Sequence, residues 1–160
     1  MLDQLALEVG NHLKKHSLIL TTAESCTGGG VAYHITDIPG SSTWFDRGFV
    51  TYSNSAKIQM LSVPSSTLDT YGAVSEETAR AMAEGALQHS NADVSVAITG
   101  IAGPDGGTTD KPVGTVWFAW AYKNKPTLAV LKNFSGNREE IRKKSIEVAL
   151  RGILEIPGAK

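Results

Sequence analysis

The sequence predicts an α/β protein, a single layered α/β/α domain over residues 1–160 with a mixed sheet. Short apolar runs of strand length alternate along the chain with longer segments whose apolar residues recur at helical spacing. The last two strand-like runs follow each other around one turn, which is typical of an antiparallel pair. A chain of 160 residues with 41% hydrophobic and 19% charged residues is large enough to bury a core of ordinary size.

Each element has its own local signal. The predicted elements, in order, are helix 2–16, strand 18–22, helix 27–36, strand 47–52, helices 53–61 and 75–89, strands 94–99, 114–122 and 127–134, and helix 138–154. The first helix is amphipathic and has two lysines in its last turn. Glycines in the second helix allow close approach to another backbone, and a Pro-Gly turn follows it. The third helix ends before Val63-Pro64, where a proline stops it.

Capping residues mark the later helices. Ser75 is the expected N-cap of the helix 75–89, which has two glutamates in its first turn. Asn137 opens the final helix, and the tail 157–160 is expected to fray. Residues 100–112 form a loop that is too long and too rich in glycine to be a simple connection. We therefore expect a functional role for this loop.

Composition excludes several classes of function. A net charge of −1 gives no basic face that would favour nucleic acid. The single cysteine, Cys26, excludes an internal disulfide and fits a reducing cytoplasm. The N-terminus lacks the order of a signal peptide, and no apolar run approaches the length of a membrane span. No cluster of histidine, cysteine or acidic residues has metal-ligand spacing, so neither a metal nor a cofactor is expected.

Ser25 is the most informative residue. It lies in the run Ala-Glu-Ser-Cys-Thr-Gly-Gly-Gly, residues 23–30, directly after an apolar strand-like stretch. A hydroxyl between a strand and a helix N-terminus meets free backbone N–H groups, which favour negative charge. This arrangement suits either a serine nucleophile or a phosphate-binding loop.

A serine nucleophile needs a base, because its hydroxyl is nearly inert at neutral pH. The four histidines lie on predicted helices away from the glycine-rich loops. Lys57 is the better candidate, since residues 52–57 leave a strand and enter a helix near the end of the sheet that carries Ser25. A lysine accepts a proton only when burial or a nearby cation lowers its pKa. Tyr52 could relay that proton or fix the lysine, and the alternative is a surface lysine with a packed tyrosine.

Cys26 competes with Ser25 as the nucleophile. A thiol at a helix N-terminus has a lowered pKa, and with Glu24 and Lys57 it would imitate a Cys-Glu-Lys amidase. Adjacent side chains at a helix start point about 100° apart, so only one of the two faces a substrate. We interpret Cys26 as a small buried residue.

The loop that begins at Thr99 is a candidate binding loop. Its glycines, Gly100 and Gly103 among them, allow close approach to a ligand, and the Thr99 hydroxyl can donate a hydrogen bond. The loop lacks the Gly-Lys-Ser/Thr ending of a P-loop and the Gly-x-Gly-x-x-Gly fingerprint, so neither ATP nor a nicotinamide cofactor of an oxidoreductase is implied. The Ser-x-x-Lys motif of penicillin-binding enzymes is also absent.

Two further segments are weaker candidates. Ser42 lies in the small polar turn Gly40-Ser41-Ser42 and can add a hydroxyl to a site, although a plain turn explains it equally well. Arg138 and Arg142 lie four residues apart on one helix face and could hold a phosphate or carboxylate. The alternative is a solvated face paired with neighbouring glutamates.

Taken together, these motifs resemble those of the CinA C-terminal domain family. Six blocks that appear in order carry the resemblance: AESCTGG (23–29), PGSS (39–42), YSNSAK (52–57), GAVSE (72–76), TGIAGP (99–104) and KPVGTV (111–116). The resemblance covers nearly the whole chain. Larger members carry an additional N-terminal domain, and this chain resembles the stand-alone form. Gly30 departs from the apolar residue that is more usual there.

The resemblance implies hydrolysis of the carboxamide of nicotinamide mononucleotide to nicotinic acid mononucleotide and ammonia, in pyridine nucleotide salvage. It implies Ser25 as the nucleophile, activated by Lys57 with Tyr52, and it extends the substrate site to Ser42, Thr99 and Arg142. From the residues, we add Gly100 and Gly103 of the loop to the substrate site. We also expect backbone N–H groups around Cys26, Thr27 and Gly28 to stabilise the oxyanion. A cationic substrate ring is expected to help keep Lys57 neutral.

Two rival functions remain open from the sequence. The first is a non-catalytic nucleotide-binding or regulatory module linked to competence or the DNA-damage response, which would tolerate Lys57→Ala. The second is an amidohydrolase of an unphosphorylated pyridine amide, which would lose no rate when the phosphate is removed. A homo-oligomer is expected in either case, with no nucleic acid and no membrane among the partners.

Overall fold

The computed structural model describes residues 1–156, and the predicted fraying of the tail lies outside these residues. Its helices are α1 (Leu2–Lys15), α2 (Gly30–Thr36), α3 (Asn54–Leu61), α4 (Ser65–Tyr71), α5 (Glu76–Gln88) and α6 (Arg138–Leu154), with a 3₁₀ turn at Ser41–Thr43. Its strands are β1 (Leu20–Glu24), β2 (Phe45–Val50), β3 (Val94–Gly100), β4 (Thr115–Tyr122) and β5 (Leu128–Asn133). The predicted order of elements is confirmed, except that α4 was not predicted.

The five strands form one mixed sheet in the order β2-β1-β3-β4-β5. β1 runs parallel to both β2 and β3, whereas β4 pairs antiparallel with β3 and with β5. The helices α1, α2 and α6 pack on one face of the sheet, and α3, α4 and α5 pack on the other. The predicted α/β/α layering with a mixed sheet is therefore confirmed.

The two faces of the sheet carry side chains of different size. On β3, Val94, Val96 and Ile98 join the core beneath α1 and α6, while Ala97 joins the core beneath α5. Ser95 also faces α5, and its hydroxyl donates to the Ala83 carbonyl at 2.7 Å. Because strand side chains alternate between faces, small residues on one face let α5 approach the sheet closely.

The second helix starts later than the sequence predicts. Helix 27–36 begins only at Gly30, because Gly28 and Gly29 adopt positive φ angles of 59° and 98° and break any helical path. Ser25 therefore lies in a tight turn ahead of the helix. Because α2 begins five residues after Ser25, the expectation that the Ser25 hydroxyl sits at the helix N-terminus is wrong.

Candidate active site

A cavity of about 320 Å³ opens at the carboxyl ends of β1 and β3. Crevices at this edge of parallel strands are common ligand sites in α/β proteins, because the loops that follow the strands converge there. The cavity is lined by Ser25, Cys26, Tyr52, Lys57, Ala73, Val74, Thr99, Gly100, Ile101, Ala102, Gly103, Asp105, Gly106 and Arg138. Six residues predicted from sequence meet here: Ser25, Lys57, Tyr52, Thr99, Gly100 and Gly103.

Ser25 is held by the sheet itself. Its backbone N–H donates to the Ile98 carbonyl at 3.0 Å, which extends the pairing of β1 with β3 by one residue. Its carbonyl accepts from the N–H of Gly28 at 3.0 Å, which closes the turn. The residue is 8% exposed, so its hydroxyl meets the cavity but little bulk water. This local architecture fixes the hydroxyl on a rigid edge.

Glu24 holds the base of the same turn. This buried carboxylate accepts from the Thr27 hydroxyl at 2.6 Å and from the backbone N–H groups of Val31 and Ala32, each at 2.9 Å. These two N–H groups belong to the first turn of α2, where no residue of the helix can accept them. The N-terminus of α2 is therefore occupied by Glu24, and the predicted phosphate-binding role of this helix end is not supported.

Lys57 is a buried lysine beside Ser25. Ser53 caps α3 by accepting from the Ala56 N–H at 3.0 Å, and this start places Lys57 on the same inward face as Leu61. The Lys57 side chain is 1% exposed. Its Nζ lies 3.0 Å from Ser25 Oγ, and the arrangement is that of a nucleophile with its base.

The protons of Lys57 have defined acceptors. Nζ donates to the Thr51 carbonyl at 2.9 Å and to the Tyr52 carbonyl at 3.2 Å. Burial lowers the pKa of the Lys57 amine, since desolvation disfavours the ammonium form. A neutral amine has two N–H bonds, which the two carbonyls accept, and one lone pair. Nζ also donates to Ser25 Oγ at 3.0 Å, and the Ser25 hydroxyl donates to the Tyr52 carbonyl at 3.5 Å. When the amine is neutral, its lone pair takes the position toward Oγ and can accept the Ser25 proton.

Tyr52 takes part through its backbone. Its carbonyl contacts Lys57, whereas its phenol lies 3.5 Å from Nη2 of Arg138. The side chain is 63% exposed and lines the cavity. The phenol makes no hydrogen bond to Ser25 or Lys57 within residues 1–156, so the geometry favours no proton relay through this hydroxyl.

Cys26 is an inert thiol in this environment. It is buried, and this burial raises the pKa of its thiol to about 12. The nearby charge of Glu24 acts in the same direction, because a second negative charge disfavours the thiolate. A thiol with this pKa carries almost no thiolate at neutral pH, so the competing cysteine nucleophile is not supported.

The loop after β3 forms the part of the cavity wall that adjoins Ser25. Thr99 is buried, and its hydroxyl donates to the Ala73 carbonyl at 2.8 Å, which ties the segment before α5 to the cavity. Gly103 has a φ of 82°, and its carbonyl accepts from Nη1 of Arg138 at 2.6 Å. The loop is thus joined to α6 at the rim of the cavity.

Two of the three arginines of α6, Arg138 and Arg142, have different roles. Arg138 lines the cavity and bridges the loop to Tyr52. Arg142 lies outside the lining and donates to the carbonyls of Cys26 and Thr27 at 3.1 and 3.3 Å. Arg142 therefore braces the turn that follows Ser25, and Arg138 is the arginine that lines the cavity.

Three other predicted residues stay away from the cavity lining. The Gly28 N–H already donates to Ser25, and the hydroxyl of Thr27 to Glu24, which leaves the N–H groups of Cys26 and Thr27 as the remaining candidate oxyanion donors. Ser42 is exposed in the 3₁₀ turn before β2, at the amino end of the parallel strands. Ser42 is therefore separated from Ser25 by the length of β1 within one chain.

Sequence reasoning missed Ala73, Val74 and Asp105 as lining residues. Asp105 stands in the Pro-Asp-Gly-Gly run of the loop that was already singled out, so its charge was an available signal. Among residues 1–156, no group of three metal-ligating side chains could hold an ion. In the same range, no helix combines the length and apolar character that a membrane crossing requires.

Comparison with known proteins identifies the family of this chain and agrees with its fold. Residues 2–156 match the model of the CinA C-terminal domain, and the chain belongs to that family. A protein of Escherichia coli strain K12 named nicotinamide-nucleotide amidohydrolase PncC is 54% identical over 150 residues, or 94% of this chain and 91% of that protein. A protein of the same name from Enterobacter agglomerans is 52% identical over 158 residues, or 96% of each chain.

A solved structure shows the same architecture. The crystal structure of competence/damage inducible protein CihA from Agrobacterium tumefaciens superposes with a TM-score of 0.93 at 45% identity. It covers 96% of this chain, which itself covers 94% of the solved chain.

Proposed function

We propose that this protein is a nicotinamide-nucleotide amidohydrolase that converts nicotinamide mononucleotide and water to nicotinic acid mononucleotide and ammonia. The observation that carries the proposal is the 3.0 Å contact between Lys57 Nζ and Ser25 Oγ in a cavity, with the lysine pKa lowered by burial. The names of relatives above 50% identity supply the substrate class.

The first half of the reaction forms an ester on Ser25. Oγ attacks the amide carbon, and its proton passes to Lys57 Nζ. The tetrahedral oxyanion accepts a hydrogen bond from the N–H of Cys26, a donor of a kind worth about 3 kcal/mol in related chemistry. Lys57 then donates the proton to the amide nitrogen, which leaves as ammonia.

The second half regenerates the enzyme. Water replaces ammonia, loses a proton to Lys57 and attacks the ester carbon. Collapse of the new tetrahedral intermediate breaks the bond to Oγ, and Lys57 returns the proton to Ser25. The same neutral lysine serves as base and its ammonium as acid in both halves, as microscopic reversibility requires.

Arg138 supports the phosphate-binding part of the proposal. It is the arginine that lines the cavity, and a guanidinium matches a phosphate in charge and hydrogen-bond geometry. The resemblance pointed to Arg142, but that side chain is engaged by two backbone carbonyls behind Ser25. We assign phosphate binding to Arg138 and a bracing role to Arg142.

Ammonia release from nicotinamide mononucleotide tests the proposal. Wild type should release ammonia, and folded Ser25→Ala and Lys57→Met variants should turn over at least about a thousandfold more slowly. Arg138→Met should raise KM for the mononucleotide but not for the unphosphorylated riboside. Release that persists in Ser25→Ala would contradict the mechanism, and binding without release by wild type would favour the regulatory module.

The proposal also includes a cellular location and an oligomeric state. Salvage of pyridine nucleotides places the enzyme in the cytoplasm, which agrees with a single reduced cysteine. A homo-oligomer is also proposed, and a partner copy is one way for the exposed Ser42 to reach a substrate site. Sedimentation of wild type gives the oligomeric state.

A further inference from the structure

The cavity contains two opposite charges that do not pair with each other. Asp105 and Arg138 both line it, one from the loop after β3 and the other from the start of α6. Arg138 donates to the Gly103 carbonyl and contacts the Tyr52 phenol. Within residues 1–156, the ion pairs join other residues, and none involves Asp105 or Arg138.

Asp105 has no structural task that explains its carboxylate. An aspartate in a Pro-Asp-Gly turn commonly accepts a hydrogen bond from a backbone N–H two residues on. No such bond, and no other side-chain hydrogen bond of Asp105, is formed in the described part of the chain. The side chain is exposed to solvent at the cavity, so its charge is available to a ligand.

Unpaired charges of both signs favour a ligand that also carries both signs. A purely anionic ligand gains from Arg138 but is repelled by Asp105, and a purely cationic ligand meets the opposite situation. Nicotinamide mononucleotide is zwitterionic, with a phosphate and a positively charged pyridinium ring. Because the reacting amide is attached to that ring, the positive charge must enter the cavity whenever the amide reaches Ser25.

We infer that Asp105 is a specificity-determining residue that recognises the positive charge of the oxidised pyridinium ring, an inference that rests on the proposed amidohydrolase function. The exposed ring of Tyr52 lines the same cavity and offers an aromatic face of the kind that attracts cations. The reduced mononucleotide has the same amide and phosphate but a neutral dihydropyridine ring. Asp105 thus discriminates the oxidised from the reduced nucleotide.

Binding to the non-hydrolysing Ser25→Ala variant tests this inference. Oxidised and reduced mononucleotide are titrated by calorimetry into Ser25→Ala with and without Asp105→Asn. We expect Asp105→Asn to weaken binding of the oxidised form by about three- to fivefold, as for a partly solvated ion pair, and to leave the reduced form unchanged. Asp105→Glu should retain most of the discrimination.

A matched control and a kinetic measurement separate the outcomes. Asp110→Asn removes an exposed acid of the same loop outside the cavity lining and should change neither affinity. In the Ser25-containing enzyme, Asp105→Asn should lower the ratio of kcat/KM for the oxidised over the reduced form by the same factor. Equal losses for both nucleotides, or no loss, would overturn the inference while ammonia release by wild type still upholds the proposed function. Absence of both binding and release in wild type would overturn both.

Discussion

Lys57 meets Tyr52 at the backbone carbonyl of the tyrosine, 3.2 Å from Nζ, and not at its phenol. Together with the Thr51 carbonyl at 2.9 Å, this contact accounts for two protons of the amine and directs the remaining position of nitrogen at Ser25. The main chain between β2 and α3 thereby orients the base. The contact with Lys57 does not use the Tyr52 side chain, which lines the cavity.

Tyr52→Phe should therefore leave the chemical step nearly intact. The substitution removes the phenolic hydroxyl but keeps the carbonyl that binds Lys57, so turnover should stay within about threefold of wild type. Removal of a true proton relay would instead slow the reaction by about 10²- to 10⁴-fold. Steady-state kinetics on nicotinamide mononucleotide distinguish these results. A rate loss of the larger size would show that the Tyr52 phenol relays the proton.

The reaction should accelerate as the pH rises. Burial lowers the pKa of Lys57 below its ordinary value of 10.5, and only the neutral amine accepts the Ser25 proton. The rate kcat/KM should thus increase with pH and reach a plateau once Lys57 is deprotonated, with a midpoint below that value. Measurement above about pH 7 keeps the substrate phosphate largely in its doubly ionised form. A profile that is flat down to about pH 6 would require another base.

Replacement of Lys57 by methionine should abolish the pH dependence of stability that the buried amine imposes. The unfolded chain holds the lysine proton up to its ordinary pKa, whereas the folded chain loses it at lower pH. Between these two values the unfolded state binds more protons, so the stability of wild type rises with pH. The Tm of Lys57→Met relative to that of wild type should be highest at low pH and should fall through this window. A difference that does not change with pH would contradict the lowered pKa of Lys57.

Cys26 should be dispensable for activity. Its thiol, with a pKa raised to about 12 by burial, should resist alkylation by iodoacetamide at about pH 8 in the folded protein. Cys26→Ala should turn over within a few-fold of the wild-type rate, because the proposed oxyanion donor is the backbone N–H of residue 26, which alanine retains. Rapid alkylation of the native protein with loss of activity would revive the thiol as a nucleophile.

The packing of α5 against α3 should control both stability and the site. A Cβ on Gly85 would overlap the backbone carbonyl of Leu61, at the end of the helix that carries Lys57. Gly85→Ala should destabilise the protein by about 1–3 kcal/mol through overpacking and should also lower kcat. Urea denaturation gives the free energy of unfolding, and Gln88→Ala at an exposed position of α5 offers a control with no such overlap. An unchanged free energy of unfolding for Gly85→Ala would contradict the close approach.

The order of strands and helices could be predicted because its signals are local. Hydrophobic periodicity, the Ser75 and Asn137 caps and the turn around residues 124–126 depend only on neighbours in sequence. The same signals missed α4, whose seven residues span too little periodicity to be recognised. They also started α2 too early, since positive φ at two glycines is not encoded by hydrophobic spacing.

The amino-acid pattern was sufficient to predict the layered α/β class, the placement of Ser25 after a strand and the pairing of its segment with that of Lys57. Only the packing of distant elements brings the chemical groups together. It buries Lys57 and lowers its pKa, supplies the Tyr52 carbonyl as a partner, and puts Arg138 and Asp105 in the cavity lining, where Arg142 is absent. Residues on one strand or helix have fixed spacing, so local patterns predict them. Distances between β1, α3 and α6 depend on how the two helices pack against the sheet that contains β1, and the desolvation of Lys57 follows from that packing.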